Sequence, residues 1–239
     1  MRFFNFLLIY VIAVFPAKAQ IGYGPEIGIG VSRMYFAPPI YPIDYTEAST
    51  GAIASGKIGG LIDFPLNKHF YVQAGISFAR EGVTRSFSYY FSDSFNESVN
   101  QTLYLNYFQV PVSLIFKTGV QGKGRFIFGV GASPAYLIGG RNKLQDNQVF
   151  KGVTGDTTSN TLVVSALNRF DIGVSLTAGY ELRGGLFLRA YYTDGVNDLS
   201  LNTEIDKNRM WGIAAGYIFG KGRNANKDDE GLIDKTTDQ

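Results

Sequence analysis

Apolar and polar residues alternate along this chain with a period of two. From Phe170 to Leu182 every even position is apolar, and the odd positions between are charged, small or hydroxylated. A helix would scatter those residues around its axis, whereas a strand sorts them onto two faces. The same sorting runs through Phe70, Val72, Ala74, Ile76 and Phe78, set against Tyr71, Gln73, Gly75, Ser77 and Ala79. It recurs through Phe108 to Phe116 on the even positions and Trp211 to Phe219 on the odd ones. Weaker versions lie near residues 21–36, 52–64, 125–139 and 186–195. The pattern predicts about eight strands, each of the length a tilted membrane strand requires.

The connections alternate in length. Residues 65–69, 119–124 and 183–185 make short links, while 37–51, 82–101, 140–166 and 196–208 are longer and polar or hydroxyl-rich. Short turns on one side and long loops on the other are the habit of outer-membrane barrels. Hairpin registers follow from keeping apolar partners on one face. With 183–185 as the turn, Tyr180 faces Leu188 and Ala178 faces Ala190. Pairing Phe64 with Phe70 sets Ile62 beside Val72, and pairing Phe116 with Phe126 sets Leu114 beside Phe128.

The ends of the chain sharpen this picture. Met1-Arg2, the apolar run Phe3 to Phe15 and the small residues Ala17 and Ala19 have the layout of a secretory signal cleaved before Gln20. Residues 1–19 are therefore set apart from the fold, with 20–219 as the barrel domain and 220–239 as a polar, disordered periplasmic tail. After Ala19 no stretch reaches the ~18 apolar residues of a transmembrane helix. A mature chain that enters a membrane must then do so as a closed barrel, which pairs every backbone group. Cysteine is absent, so neither disulfides nor thiolate metal sites hold the fold. A formal charge of +2 speaks against nucleic acid as a partner.

Aromatic residues fall near strand ends on the apolar face, as interfacial girdles do. Phe64, Phe70, Phe116, Phe126, Tyr180 and Phe219 would mark the periplasmic rim, and Tyr104, Phe170, Tyr192 and Trp211 the outer one. A soluble two-sheet sandwich also buries one face of each strand, but it leaves the alternation of loop lengths unexplained. The fold expected is an all-β, eight-stranded antiparallel up-and-down transmembrane barrel with short periplasmic turns and long outer loops.

Several segments resemble the "porin family" outer-membrane β-barrel proteins common in Bacteroidota. They are Leu105-Asn106-Tyr107-Phe108-Gln109-Val110-Pro111-Val112, Gly129 to Tyr136, Arg169-Phe170-Asp171-Ile172-Gly173 and Tyr191 to Leu199. The resemblance spans about residues 21–219 and implies an eight-stranded barrel in the outer membrane of a Gram-negative bacterium. Such a protein would contact lipid and lipopolysaccharide and depend on the barrel assembly machinery. The family often has a glutamate where this chain has Gln109, and its barrels end on an aromatic strand, a role Phe219 fits.

The polar face assigns Glu26, Lys57, Asp63, Gln109, Lys117, Arg169, Asp171, Glu181 and Arg189 to the barrel interior. Eight strands leave a lumen that side chains fill, and unpaired buried charges are costly, so a plug of ion pairs is expected. The alternative is a narrow path for ions or small solutes. In the expected hairpin Arg189 lies opposite Gly179 with Glu181 as its diagonal partner. Catalysis finds little to use: His69 is the sole histidine, and Asp171 and Glu181 stand some 30 Å apart along one strand, too far for a carboxylate pair. A lipid-modifying membrane enzyme is thus the weaker alternative, and no cofactor is implied. Asp194, Asn197 and Asp198 lack the spacing of a calcium loop. Function is sought in the outer loops, where Phe87, Tyr89, Tyr90, Phe91 and Phe95 form an aromatic-rich run suited to an extracellular ligand or to strand extensions that pack on each other.

Overall fold

The computed structural model describes residues 21–36, 47–92, 95–119, 123–150, 153–162, 167–199 and 206–220. The signal segment 1–19, the tail 221–239 and the aromatic stretch from Ala37 to Pro42 lie outside the described residues.

The strands are β1 (Gly22–Phe36), β2 (Glu47–Gly51), β3 (Ile53–Pro65), β4 (Phe70–Ser92), β5 (Phe95–Gln109), β6 (Val112–Lys117), β7 (Arg125–Phe150), β8 (Val153–Leu162), β9 (Phe170–Glu181), β10 (Leu186–Gly195) and β11 (Asp206–Tyr217). Every pairing is antiparallel, and the order closes on itself because β1 pairs with both β3 and β11. A bridge from Tyr23 to Phe219 extends that seam. Three pairs of segments share a partner strand and count once each in the ring. Against β4, Gln109 pairs Ser77 and Val112 pairs Ala74, so β5 and β6 keep one register across Pro111. Pro111 has no N–H to give the ladder, yet its carbonyl accepts from Gly75 at 3.0 Å. β2 and β3 both pair with β4, their registers one residue apart, and β8 and β9 both pair with β7, their registers three residues apart. The result is a ring of eight antiparallel strands.

The two faces sort as the alternation demands. Ile27, Ile29, Ile58, Ile76, Phe78, Phe128, Val130, Leu176, Leu188 and Ile213 point outward and are between about half and two-thirds exposed. An apolar belt of that extent far exceeds the patches a water-soluble monomer shows, and lipid is the solvent that accommodates it. At the short-turn end Phe70 packs tilted against Phe116 at 5.3 Å, Phe126 meets Tyr180 edge-on at 5.1 Å, and Tyr23 packs tilted against Phe219 at 5.7 Å. Phe170 and Trp211 stay exposed at the opposite end.

Register follows expectation in one hairpin and differs by two residues in two. Tyr180 pairs Leu188, and Gly185 closes the turn at φ +95° with its N–H on the Leu182 carbonyl. Ile62, however, pairs Ala74 rather than Val72, and Leu114 pairs Val130 rather than Phe128. In the first of these turns the Asn67 side chain accepts hydrogen bonds from the His69 and Phe70 amides. That local turn tightens the link and moves the register by an even number, which leaves every side chain on its face.

The largest departure is at the far end. The segments 82–101 and 140–166, expected as long loops, contain extended strand instead. β4, β5 and β7 run on about a dozen residues past the apolar belt, roughly 40 Å of chain at ~3.3 Å per residue. The register shifts twice along them, at Ile138 opposite Asn106 and Tyr107 and between Tyr90 and Ser92.

Candidate functional site

The inward face brings charges from six of the eight strands of the ring into one chain of hydrogen bonds. Arg125 donates to the Tyr71 hydroxyl at 3.0 Å and to Glu181 at 2.8 Å. Glu181 accepts from Lys117 at 2.9 Å, and Lys117 also pairs with Asp63. Asp63 accepts from Gln73 at 2.6 Å, and the Gln73 carbonyl accepts from Arg189 at 2.5 Å. Arg189 pairs with Glu26, and Glu26 with Lys57 at 2.7 Å. Rings lie beneath the cations: Lys117 Nζ sits 4.5 Å from the Tyr71 centroid and Lys57 Nζ 4.1 Å from that of Tyr191. Each charge thus meets an opposite charge and further donors, the condition under which buried ions are tolerated.

Local geometry explains how such bulk fits. Gly179 lies directly opposite Arg189, and a Cβ there would come within 2.5 Å of the arginine Cβ. The glycine makes room for the guanidinium stem. Arg189 does not reach Glu181, the diagonal partner expected for it. It crosses to Glu26 and Gln73 instead, while Glu181 is claimed by Lys117 and Arg125. A rolled sheet brings distant strands face to face, and a hairpin drawn flat cannot show this.

Apolar side chains stopper the lumen at both ends. Leu61, Tyr71, Ile115, Ile127, Phe187 and Ile218 pack together at the short-turn end. At the far end Met34, Val83, Leu103, Leu105, Tyr107, Ala135, Leu137 and Leu199 form a second cluster. Leu199 follows β10, is fully buried, and is tied down by its carbonyl accepting from the Asn168 amide at 2.9 Å. Ser32 on β1 clamps the same level, donating to the Gly82 carbonyl at 2.8 Å and accepting from its amide at 2.6 Å. Between the stoppers lies a cavity of about 70 Å³, lined inside by Ser77, Ser113, Ser133, Ser175 and Tyr191 with the Glu26, Lys57 and Arg189 groups.

Of the interior residues expected from sequence, Glu26, Lys57, Asp63, Lys117, Glu181 and Arg189 join the chain described above. Gln109 and Asp171 are buried further up: Gln109 donates to Glu81 at 2.7 Å, and Asp171 accepts from Asn208 at 3.2 Å. Arg169 is a correction. It sits one residue before β9 begins, is exposed, and is no part of the interior. Its position has inward parity, but parity holds only inside a strand. Glu81, Arg125 and Asn208 escaped the sequence reading, and Gln73 was placed on the polar face without a role. Arg125 was detectable, because it opposes Glu181 once Phe126 is set against Tyr180. Phe87 is half-buried within the extended sheet, opposite Val99 and Ala48. The backbones of Tyr89, Tyr90, Phe91 and Phe95 belong to the same hairpin, and their side chains lie outside the described residues. Asp194 is engaged by Arg209 at 3.0 Å, and His69 faces the Lys117 carbonyl at 3.1 Å within its turn.

Residues 16–201 match the family described as outer membrane protein beta-barrel domain. Among solved structures, the chain is similar to the attachment invasion locus protein Ail of Yersinia pestis, at 16% identity, TM-score 0.36, 83% of this chain and 98% of that one. It is similar to Neisserial surface protein A at 12%, TM-score 0.38, with 83% and 97% covered. OprG from Pseudomonas aeruginosa is similar at 9%, TM-score 0.43, with 84% and 96% covered. At such identities and superposition scores these neighbours say nothing of ligand or role. No curated protein matches the chain.

Proposed function

The chain belongs to the outer membrane protein beta-barrel domain family, and from that membership we propose that it is a non-conducting, non-enzymatic barrel that holds an extended sheet above the membrane for contact with an external partner. The observation that carries this reading is the contrast along the barrel axis. The lumen is filled by ion pairs and stoppered twice, while β4, β5 and β7 continue well past the apolar belt. A lumen filled by paired charges and a sheet that outruns the membrane favour the outer surface as the place for function.

The aromatic hairpin from Phe87 to Phe95 is its contact region. Residues 1–19 are removed on export, the barrel assembly machinery inserts the chain, and outward basic residues such as Arg33, Arg80 and Arg141 meet the phosphates of lipopolysaccharide. The kinship with Bacteroidota porin-family proteins belongs to this reading as well. A narrow channel is the second reading, favoured by the polar cavity of about 70 Å³ at mid-barrel.

The test is adhesion. Cells of a laboratory strain displaying the full chain should gain attachment to coated surfaces or to each other. A variant with Tyr89, Tyr90 and Phe91 changed to serine should lose it while still folding, as judged by heat-modifiable gel mobility. Equal attachment by the variant, or none by the parent, would refute the reading. N-terminal sequencing of the surface protein should start at Gln20.

A further inference from the structure

The lipid-facing wall is not smooth. Across β6, β7, β9 and β10 it carries an apolar groove of about 550 Å³. Ala178 and Ala190 pair across β9 and β10, are both exposed, and form its floor. Phe116 and Phe128 continue the same row of cross-strand partners, and Leu176 and Tyr192 belong to the row beside it. Two small side chains among large ones leave a trough, and its lining lacks contacts that a flexible apolar chain would supply. Its volume lies within the roughly 300–1,000 Å³ of small-molecule sites.

The groove begins at the short-turn rim. Phe70 opens β4 and Phe116 is the last residue but one of β6, whereas Tyr192 is the seventh residue of β10. It therefore climbs the wall from that rim, as a line drawn across strands tilted by roughly 35–45° does. The turns at its lower end carry positive charge. His69 seats the first turn at the mouth, with its ring 6.0 Å from that of Phe116 and its carbonyl accepting from the Lys117 amide at 2.8 Å. Lys68 lies in this turn, Lys123 in the next and Arg183 in the third, and all three are exposed. Among the described residues none of the three forms an ion pair. The described acids at this end, Asp63 and Glu181, are buried and face inward on Lys117.

We propose that this groove is a specific site for one anionic phospholipid, of the phosphatidylglycerol class, in the leaflet that the short turns reach. An acyl chain lies over Ala178 and Ala190, and the phosphate meets the cations of the turns. The groove alone would take the chain of any lipid. The unpaired cations at its mouth select a negative headgroup, each adding roughly fivefold in affinity near a membrane surface. Long lysine and arginine side chains reach headgroup level from just outside the apolar belt. The site faces lipid rather than the lumen, so it stands whether or not the barrel conducts.

The experiment is native mass spectrometry of the refolded full chain, released from detergent micelles that hold phosphatidylglycerol and phosphatidylcholine in equal amounts. The parent should retain one lipid, with phosphatidylglycerol favoured by at least about tenfold at low salt. The triple variant Lys68→Gln, Lys123→Gln, Arg183→Gln should retain the two lipids equally, because the groove remains and headgroup selection is gone. Ala190→Phe fills the floor and should lose both lipids while the turn cations stay. Heat-modifiable gel mobility checks that each variant folds, and should Ala190→Phe fail, Ala178→Leu carries the same prediction. Equal retention of both lipids by the parent, or retention of neither, would overturn the proposal. So would a phosphatidylglycerol preference that survives the triple variant, or one untouched by filling the groove. A dimer mass in place of the lipid adduct, lost in Ala190→Phe, would give the groove to a second copy of the chain instead.

Discussion

Lys117→Met is the substitution that most directly probes how the interior is held. Lys117 is 1% exposed, and its ammonium touches Asp63 and Glu181 while lying over the Tyr71 ring. Methionine keeps the apolar stem and removes the charge. Glu181 would retain Arg125 at 2.8 Å, but Asp63 would be left with only the Gln73 amide. Removing one partner of a buried pair costs about 3–5 kcal/mol. At about 1.4 kcal/mol per tenfold, a loss of 4 kcal/mol lowers the folding equilibrium constant roughly a thousandfold, a large part of a typical total of about 5–15 kcal/mol. Urea unfolding in vesicles, followed by fluorescence of the single tryptophan Trp211, reads this as a fall in midpoint. The cause is separated from loss of packing by Lys117→Met combined with Asp63→Asn, which removes the orphaned charge and should recover most of the loss as a coupling energy. A cost below about 1 kcal/mol for Lys117→Met, or no recovery in the double variant, would refute an ion-paired interior.

Leu199→Ala should cost about 2–5 kcal/mol in the same urea assay, because the side chain is fully buried in the outer stopper. Gly82→Ala should cost more than about 1 kcal/mol, since a Cβ there would stand 1.9 Å from the Leu103 carbonyl. Arg209→Ala breaks an exposed pair with Asp194 and should stay within about 1 kcal/mol of the parent. Lipids brominated along their acyl chains should quench Trp211, which is 39% exposed on the lipid face; unchanged fluorescence would count against that placement.

What could be read from sequence was what parity controls. The even positions of Phe170–Leu182 and Phe70–Phe78 reach the lipid face, and Asp63, Lys117 and Glu181 reach the lumen, because a strand allows only two directions. Partner choice was a different matter. Arg189 was assigned to its hairpin neighbour Glu181, and it pairs with Glu26, 163 residues away, because curvature brings far strands together. Arg169 failed where parity ends, one residue outside its strand. The polar composition of 82–101 and 140–166 suggested loops, yet strands above a membrane lose the apolar face that made the others visible. Periodicity gave no signal at Leu199, as a lone leucine in a polar connection is unremarkable until the fold turns it inward.

The central claim is that the barrel is closed. Single-channel recording of the refolded protein in a planar bilayer, beside Arg189→Ala, tests it most directly. The ion-pair chain and the two apolar stoppers predict silence from both proteins, since the substitution leaves the cluster at Leu105 and Leu199 in place. Steady conductance, changed by removal of the Arg189 guanidinium, would show that the interior charges line a path and that the closed barrel is wrong.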